Sequence, residues 1–233
     1  MTGKDITIKA HDGGSFSAYL ASPKSGKGPA IVVIQEIFGV NQGMRKICDD
    51  YAAQGYFAIS PDIFWRQEPG VQLTDKTEAE WGKAFQFYQG FDVANGISDL
   101  KSTLAYVRHI PGSNGKAGVT GYCLGGKLTY LMACQSDSDA SAAYYGGGIQ
   151  EILDEAKTLK KPLMLHFAEE DEYINKAAQQ NIHQALGSNP LINLYFYPKV
   201  NHAFARPNGQ HYDQAAAELA NKRTADFFKK CLG

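Results

Sequence analysis

Apolar and polar residues alternate from the start of the chain. Residues 6–9 and 16–20 alternate around the turn His11-Asp12-Gly13-Gly14, the pattern of a β-hairpin. Beyond a polar linker over residues 22–28 the pattern changes. Residues 30–34 form a continuous β-branched run, as expected of a strand buried on both faces. Residues 57–60, 162–166 and 192–196 share that character, and 142–145 is a shorter strand candidate. Helical periodicity predicts helices over 44–54, 96–109, 124–134, 176–186 and 212–230. Strand and helix therefore alternate from about residue 30 onward. This predicts an α/β fold with a mainly parallel central sheet and helices on both faces.

One segment breaks the alternation. Residues 61–91 hold both tryptophans, Trp65 and Trp81, with Phe64, Phe85, Phe87, Tyr88 and Phe91. Such an aromatic insertion forms either one wall of a pocket or a satellite helix packed on the core. No repeat, low-complexity tract or linker divides the chain, so residues 1–233 are expected to form a single domain. That length buries roughly three quarters of the unfolded surface.

A formal net charge of -1 gives no electrostatic reason to expect nucleic acid or an anionic membrane as partner. No signal-peptide core opens the chain, and no apolar run approaches the roughly 18 residues of a membrane span. Cys48, Cys123, Cys134 and Cys231 are scattered, without a C-x-x-C pair, which fits the reducing cytoplasm. A monomer that binds a small molecule is expected.

The chemistry centres on Gly121-Tyr122-Cys123-Leu124-Gly125-Gly126. An apolar run over 117–120 precedes it and an amphipathic stretch follows it. Read as strand, sharp turn and helix, this is the nucleophile elbow of α/β-hydrolases with cysteine in place of serine. Gly121 and Gly125 relieve crowding at the turn, and the helix N-terminus favours thiolate over thiol. A core cysteine in a glycine-rich packing turn would give the same string, so the rest of the chain decides.

A thiol nucleophile needs a base, and the base needs a partner that fixes its tautomer. Of the six histidines, His202 lies in the loop directly after the last predicted strand, outside a strand's carboxyl end, where reacting groups gather. The acid is expected in the loop after residues 162–166, which offers Glu169, Glu170, Asp171 and Glu172. A short side chain on a loop fixes an imidazole better than a long one, which favours Asp171, although spacing alone barely separates it from Glu170. The order nucleophile, acid, histidine is that of α/β-hydrolases. An oxyanion hole requires two converging N–H groups, assigned to Leu124 and to Ile37 in the loop after residue 34. Glu36 then places a carboxylate at the mouth of the same site.

Taken together, Gln35-Glu36-Ile37-Phe38-Gly39-Val40-Asn41, Pro61-Asp62, Ser113-Asn114-Gly115-Lys116, the block around Cys123 and His202-Ala203-Phe204-Ala205-Arg206 resemble the dienelactone hydrolase family, nearly end to end. The resemblance implies an α/β-hydrolase fold, a Cys123–His202–Asp171 triad, and hydrolysis of a lactone or ester. It also implies that Glu36 holds the resting thiol until substrate redirects it, and that Arg206 grips a substrate carboxylate. Trp81, Phe38 and Tyr145 are further candidates for substrate binding. Two positions depart from the family pattern. By ungapped counting, Trp81 stands where a second carboxylate-binding arginine is usual, and Ala203 replaces a frequent serine. Both bear on substrate preference rather than on the triad. The rival reading is a redox-sensing thiol protein on the same fold. Gly146-Gly147-Gly148 lacks the G-x-G-x-x-G or lysine of a nucleotide loop, and the chain has no H-E-x-x-H motif. Neither cofactor nor metal is expected.

Overall fold

A computed structural model describes residues 3–233. Strands β1 (Lys4–Lys9) and β2 (Ser15–Ala21) form the opening antiparallel hairpin. They are followed by β3 (Gly28–Ile34), α1 (Gln42–Ala53), β4 (Phe57–Pro61), α2 (Glu78–Gln89), α3 (Val93–Arg108) and β5 (Ser113–Tyr122). The later elements are α4 (Leu124–Gln135), β6 (Ala140–Tyr144), β7 (Leu163–Ala168), α5 (Lys176–Leu186), β8 (Ile192–Tyr197) and α6 (Gln214–Leu232). Eight strands form one sheet in the order β1-β2-β4-β3-β5-β6-β7-β8. β2 pairs antiparallel with β4, whereas β3/β4, β6/β7 and β7/β8 are parallel. The result is the mainly parallel, helix-flanked sheet that the sequence pattern predicts.

The chain divides into two compact units, residues 1–118 and 119–233. In the first, β3 and β4 are almost wholly buried, as continuous apolar runs require, and α1 packs on β2, β3 and β4. The aromatic insertion is pinned within this unit. The indole N–H of Trp65 donates to the buried Asp99 of α3 at 2.8 Å, and Arg66 donates to both Asp99 oxygens at 3.0 and 2.8 Å. Asp62 caps the turn after β4, accepting from the N–H groups of Phe64 and Gly70. Part of the insertion forms α2, opened by the N-cap Thr77, whose Oγ1 accepts from the Glu80 N–H.

The second unit is built on β6, β7 and β8, with α4 and α6 against β6. Its core joins Tyr130, Ile149, Leu163, Leu165, Phe167, Ile174 and Ile182. Several buried polar groups here join one network. His166 of β7 contacts Tyr197 Oη and Thr224 Oγ1, each at 2.9 Å, and Thr224 also meets Tyr144 Oη at 2.7 Å. Burial holds the His166 imidazole down at a pKa of about 3, with the nearby Arg223 cation acting in the same direction.

Candidate active site

Cys123 is the single residue between β5 and α4. Its backbone lies at φ 55°, ψ -114°, a conformation that costs of order 1–3 kcal/mol and persists only where the surroundings enforce it. The enforcing bonds are the Cys123 N–H to Tyr144 O at 3.1 Å and the Lys127 N–H to Cys123 O at 3.1 Å. Close approach does the rest. A Cβ on Gly121 would lie 2.3 Å from Gly125 O, and one on Gly126 would lie 2.3 Å from Tyr144 O. Among the described residues, five of the six α-helices accept an N-terminal hydrogen bond through a capping side chain; α4 has no such cap. Its first N–H groups, including that of Leu124, thus lie beside the Cys123 side chain without a capping side chain to consume them.

His202 follows β8 and is buried. Its Nδ1 lies 2.9 Å from Asp171 Oδ2 and 3.1 Å from Oδ1. Because a carboxylate only accepts, Nδ1 carries the proton and Nε2 is the basic nitrogen. Asp171 is held in turn by the N–H groups of Tyr173 and Ile174, which donate to Oδ1 at 2.9 and 3.1 Å. The Nε2 atom is buried without a hydrogen-bond partner among the described residues. The Cys123 sulfur is nevertheless near enough to act on the ring. Burial pushes the His202 pKa down, but a charge on Cys123, the bond to Asp171 and the sulfur contact outweigh it and raise it overall, so a proton taken from the thiol is held on the ring. A loose nucleophile–base contact of this kind is usual before substrate is bound.

Two tyrosine rings bracket the imidazole edge-on, Tyr145 at 5.1 Å and Tyr173 at 4.8 Å between centroids. Tyr145 leaves the end of β6 at φ 38°, and Ala203 follows the histidine at φ 62°. Positive φ at non-glycine residues thus recurs around His202. Tyr173 was not reached by sequence reasoning; its position two residues beyond Asp171 was the available signal. Arg206 is half-buried and close enough to Tyr173 for its charge to favour the phenolate, against a net upward shift caused mainly by burial and by Glu172.

The remaining expected residues belong to the first unit. Glu36 and Ile37 are buried directly after β3. Phe38 is fully buried and meets the half-buried Trp81 edge-on at 5.0 Å. Trp81 also stacks on Phe85, and its indole N–H donates to Asp75 O at 3.0 Å. Among the described residues no group of three or more His, Cys, Asp or Glu side chains is arranged to hold a metal ion.

A strained cysteine at an uncapped helix N-terminus, near a histidine oriented by a buried aspartate, is the arrangement of an acyl-transfer nucleophile. The profile of the Dienelactone hydrolase family matches residues 16–232. The chain belongs to the dienelactone hydrolase family. A "Putative carboxymethylenebutenolidase" of Azospirillum brasilense is 48% identical to it, over 98% of this chain and 99% of that one. A carboxymethylenebutenolidase of Pseudomonas putida is 39% identical, over 97% and 96% of the two chains. The crystal structure of a "Putative Dienelactone Hydrolase" from Klebsiella pneumoniae subsp. pneumoniae MGH 78578 superposes with a TM-score of 0.87 at 27% identity, covering 98% of each chain. With that membership the chain is a hydrolase of the α/β-hydrolase fold, and no helix among the described residues is long and apolar enough to cross a membrane.

Proposed function

We propose that this member of the dienelactone hydrolase family opens lactones or carboxylic esters by attack of Cys123. The observation that carries the reading is the strained Cys123 beside His202, whose Nδ1 is bonded to the buried Asp171. Sγ attacks the carbonyl carbon while the thiol proton passes to His202 Nε2. The carbonyl oxygen becomes an oxyanion, bound by the N–H of Leu124 and, from the loop after β3, that of Ile37. Collapse breaks the C–O bond, and His202 returns the proton to the departing alkoxide, which in a lactone stays tethered to the acyl group. Water, activated by the same imidazole, then hydrolyses the thioester and restores the thiol. Asp171 holds the tautomer throughout.

In this reading Glu36 is the carboxylate that keeps the resting thiol neutral, a role supported by its place after a core strand and by the family pattern. Arg206 receives a substrate carboxylate, while Trp81, Phe38 and Tyr145 contact the apolar part of the substrate. With tryptophan at position 81, one arginine makes an anionic substrate a preference, not a requirement. The family profile runs across both compact units, which supports treating residues 1–233 as one working domain. We place the enzyme in the cytoplasm as a monomer without cofactor; its four scattered cysteines, with no C-x-x-C pair, fit a reducing compartment.

The test is thiol replacement. Cys123→Ala is expected to abolish turnover of an activated ester, whereas Cys48→Ala, Cys134→Ala and Cys231→Ala retain it. Burial raises the Cys48 thiol pKa and pushes that of Cys134 up to about 12, so neither offers a thiolate at neutral pH. Near-normal turnover by the Cys123 variant would refute the mechanism.

A further inference from the structure

Asn201 lies immediately before His202, in a loop that contains two left-handed residues, Lys199 at φ 63° and Ala203 at φ 62°. Neither is glycine, so the conformation is imposed by contacts and not by local preference. Those contacts run to the loop that carries Asp171. The Glu169 N–H donates to Tyr197 O at 2.8 Å, and the Glu170 N–H to Val200 O at 3.0 Å. The next tie is different. The Glu172 N–H donates to Oδ1 of the Asn201 side chain at 3.1 Å, and the same oxygen accepts from the His202 N–H at 2.6 Å. One side-chain oxygen therefore joins the peptide just after Asp171 to the peptide of His202.

We infer that Asn201 is a positioning residue, whose side-chain carbonyl sets the spacing between Asp171 and His202. Both bonds are accepted by Oδ1, so an acceptor of the same shape is the whole requirement. Aspartate meets it; leucine fills the space but accepts nothing. His211 braces the same region from elsewhere. Its Nδ1 lies 3.2 Å from the His202 carbonyl, yet it reaches the acid loop only at 3.9 Å, through Glu172. Asn201 is thus a tighter tie between the loops than His211. The kinetic consequence rests on the cysteine-hydrolase reading above; the structural one does not.

The test joins proton NMR to kinetics. A proton shared between His202 Nδ1 and Asp171 gives a far-downfield resonance, assigned through its loss in Asp171→Asn. It is expected to persist in wild type and Asn201→Asp, and to move upfield or vanish in Asn201→Leu. On an activated ester, Asn201→Leu should lose about ten- to a hundred-fold in kcat with KM within about two-fold, because misplacing a base costs the transition state. Asn201→Asp should stay within about three-fold of wild type. Asn201→Ala, expected to behave as the leucine variant, serves if that protein does not fold. An unchanged resonance in Asn201→Leu, or an Asn201→Asp protein as impaired as Asn201→Leu, would overturn the inference. A wild type inactive on every ester would refute the hydrolase reading instead, with the resonance still deciding for or against the tie.

Discussion

Four carboxylates crowd the loop after β7, and three of them face water. The side chains of Glu169, Glu170 and Glu172 are 41%, 60% and 50% exposed, whereas that of Asp171 is fully buried. Spacing in the sequence could not separate these neighbours, because the choice depends on which carboxylate the Tyr173 and Ile174 N–H groups turn inward. His202 was legible for a different reason: its place after the last strand follows from the order of elements. Asp171→Asn keeps the shape but removes the charge and the tautomer preference, so kcat on an activated ester should fall by about a hundred-fold or more. Glu170→Gln should stay near wild type, since an exposed carboxylate with one lysine partner contributes little. Equal losses in the two would overturn the assignment of the acid. Arg206 is tested by comparing substrates. Arg206→Ala should cost roughly ten-fold in kcat/KM on carboxylate-bearing esters, about 1.4 kcal/mol, and little on neutral ones. Equal losses on both classes would make it a structural residue.

At the scale of elements, the strands were the most legible because burial on both faces leaves a continuous apolar run. Their ends were less so. β5 begins at Ser113, before its apolar stretch, and β6 stops at Tyr144, so Tyr145 leaves the strand in which the pattern placed it. Helix α2 could not be placed within the aromatic insertion. Only Ala84 and Phe87 of it are buried, too few positions to set a helical period. Gly121 and Gly125 were read as relief for the elbow, and Gly121 fits that reading. Gly126 does something the string does not show: it lets α4 approach the end of β6, where its Cβ would also lie 3.0 Å from the Gly146 Cα. The run of glycines at 146–148 thus begins as a packing surface for α4. Gly126→Ala should therefore destabilise the fold by about 1–3 kcal/mol, seen as a lower urea midpoint at unchanged slope. A midpoint equal to that of wild type would show that the backbone yields without cost.

At the scale of the whole molecule, stability is tied to pH through His166. In the sequence this histidine is only the last residue of the apolar run 162–166. The structure makes it the hub of a buried network that draws on β6, β7, β8 and α6 through Tyr144, Tyr197 and Thr224. Its folded pKa of about 3 lies below the unfolded value of 6.5. The native state therefore binds fewer protons than the unfolded chain in the interval between them. The stabilisation is fully present above pH 6.5 and is lost as pH falls towards 3. At about 1.4 kcal/mol per unit, the gap corresponds to about 5 kcal/mol at most, comparable to the lower end of a typical domain's whole stability. Other groups titrate in the same range, so the contribution of His166 has to be isolated by difference. Urea unfolding of wild type and His166→Gln should be compared at pH 7, 5 and 4. The variant is expected to be less stable at pH 7, having lost the fit of the imidazole between Tyr197 and Thr224, but to lose less on acidification. The two curves should therefore converge as pH falls, and parallel curves would show that the imidazole is protonated in the folded protein at no cost.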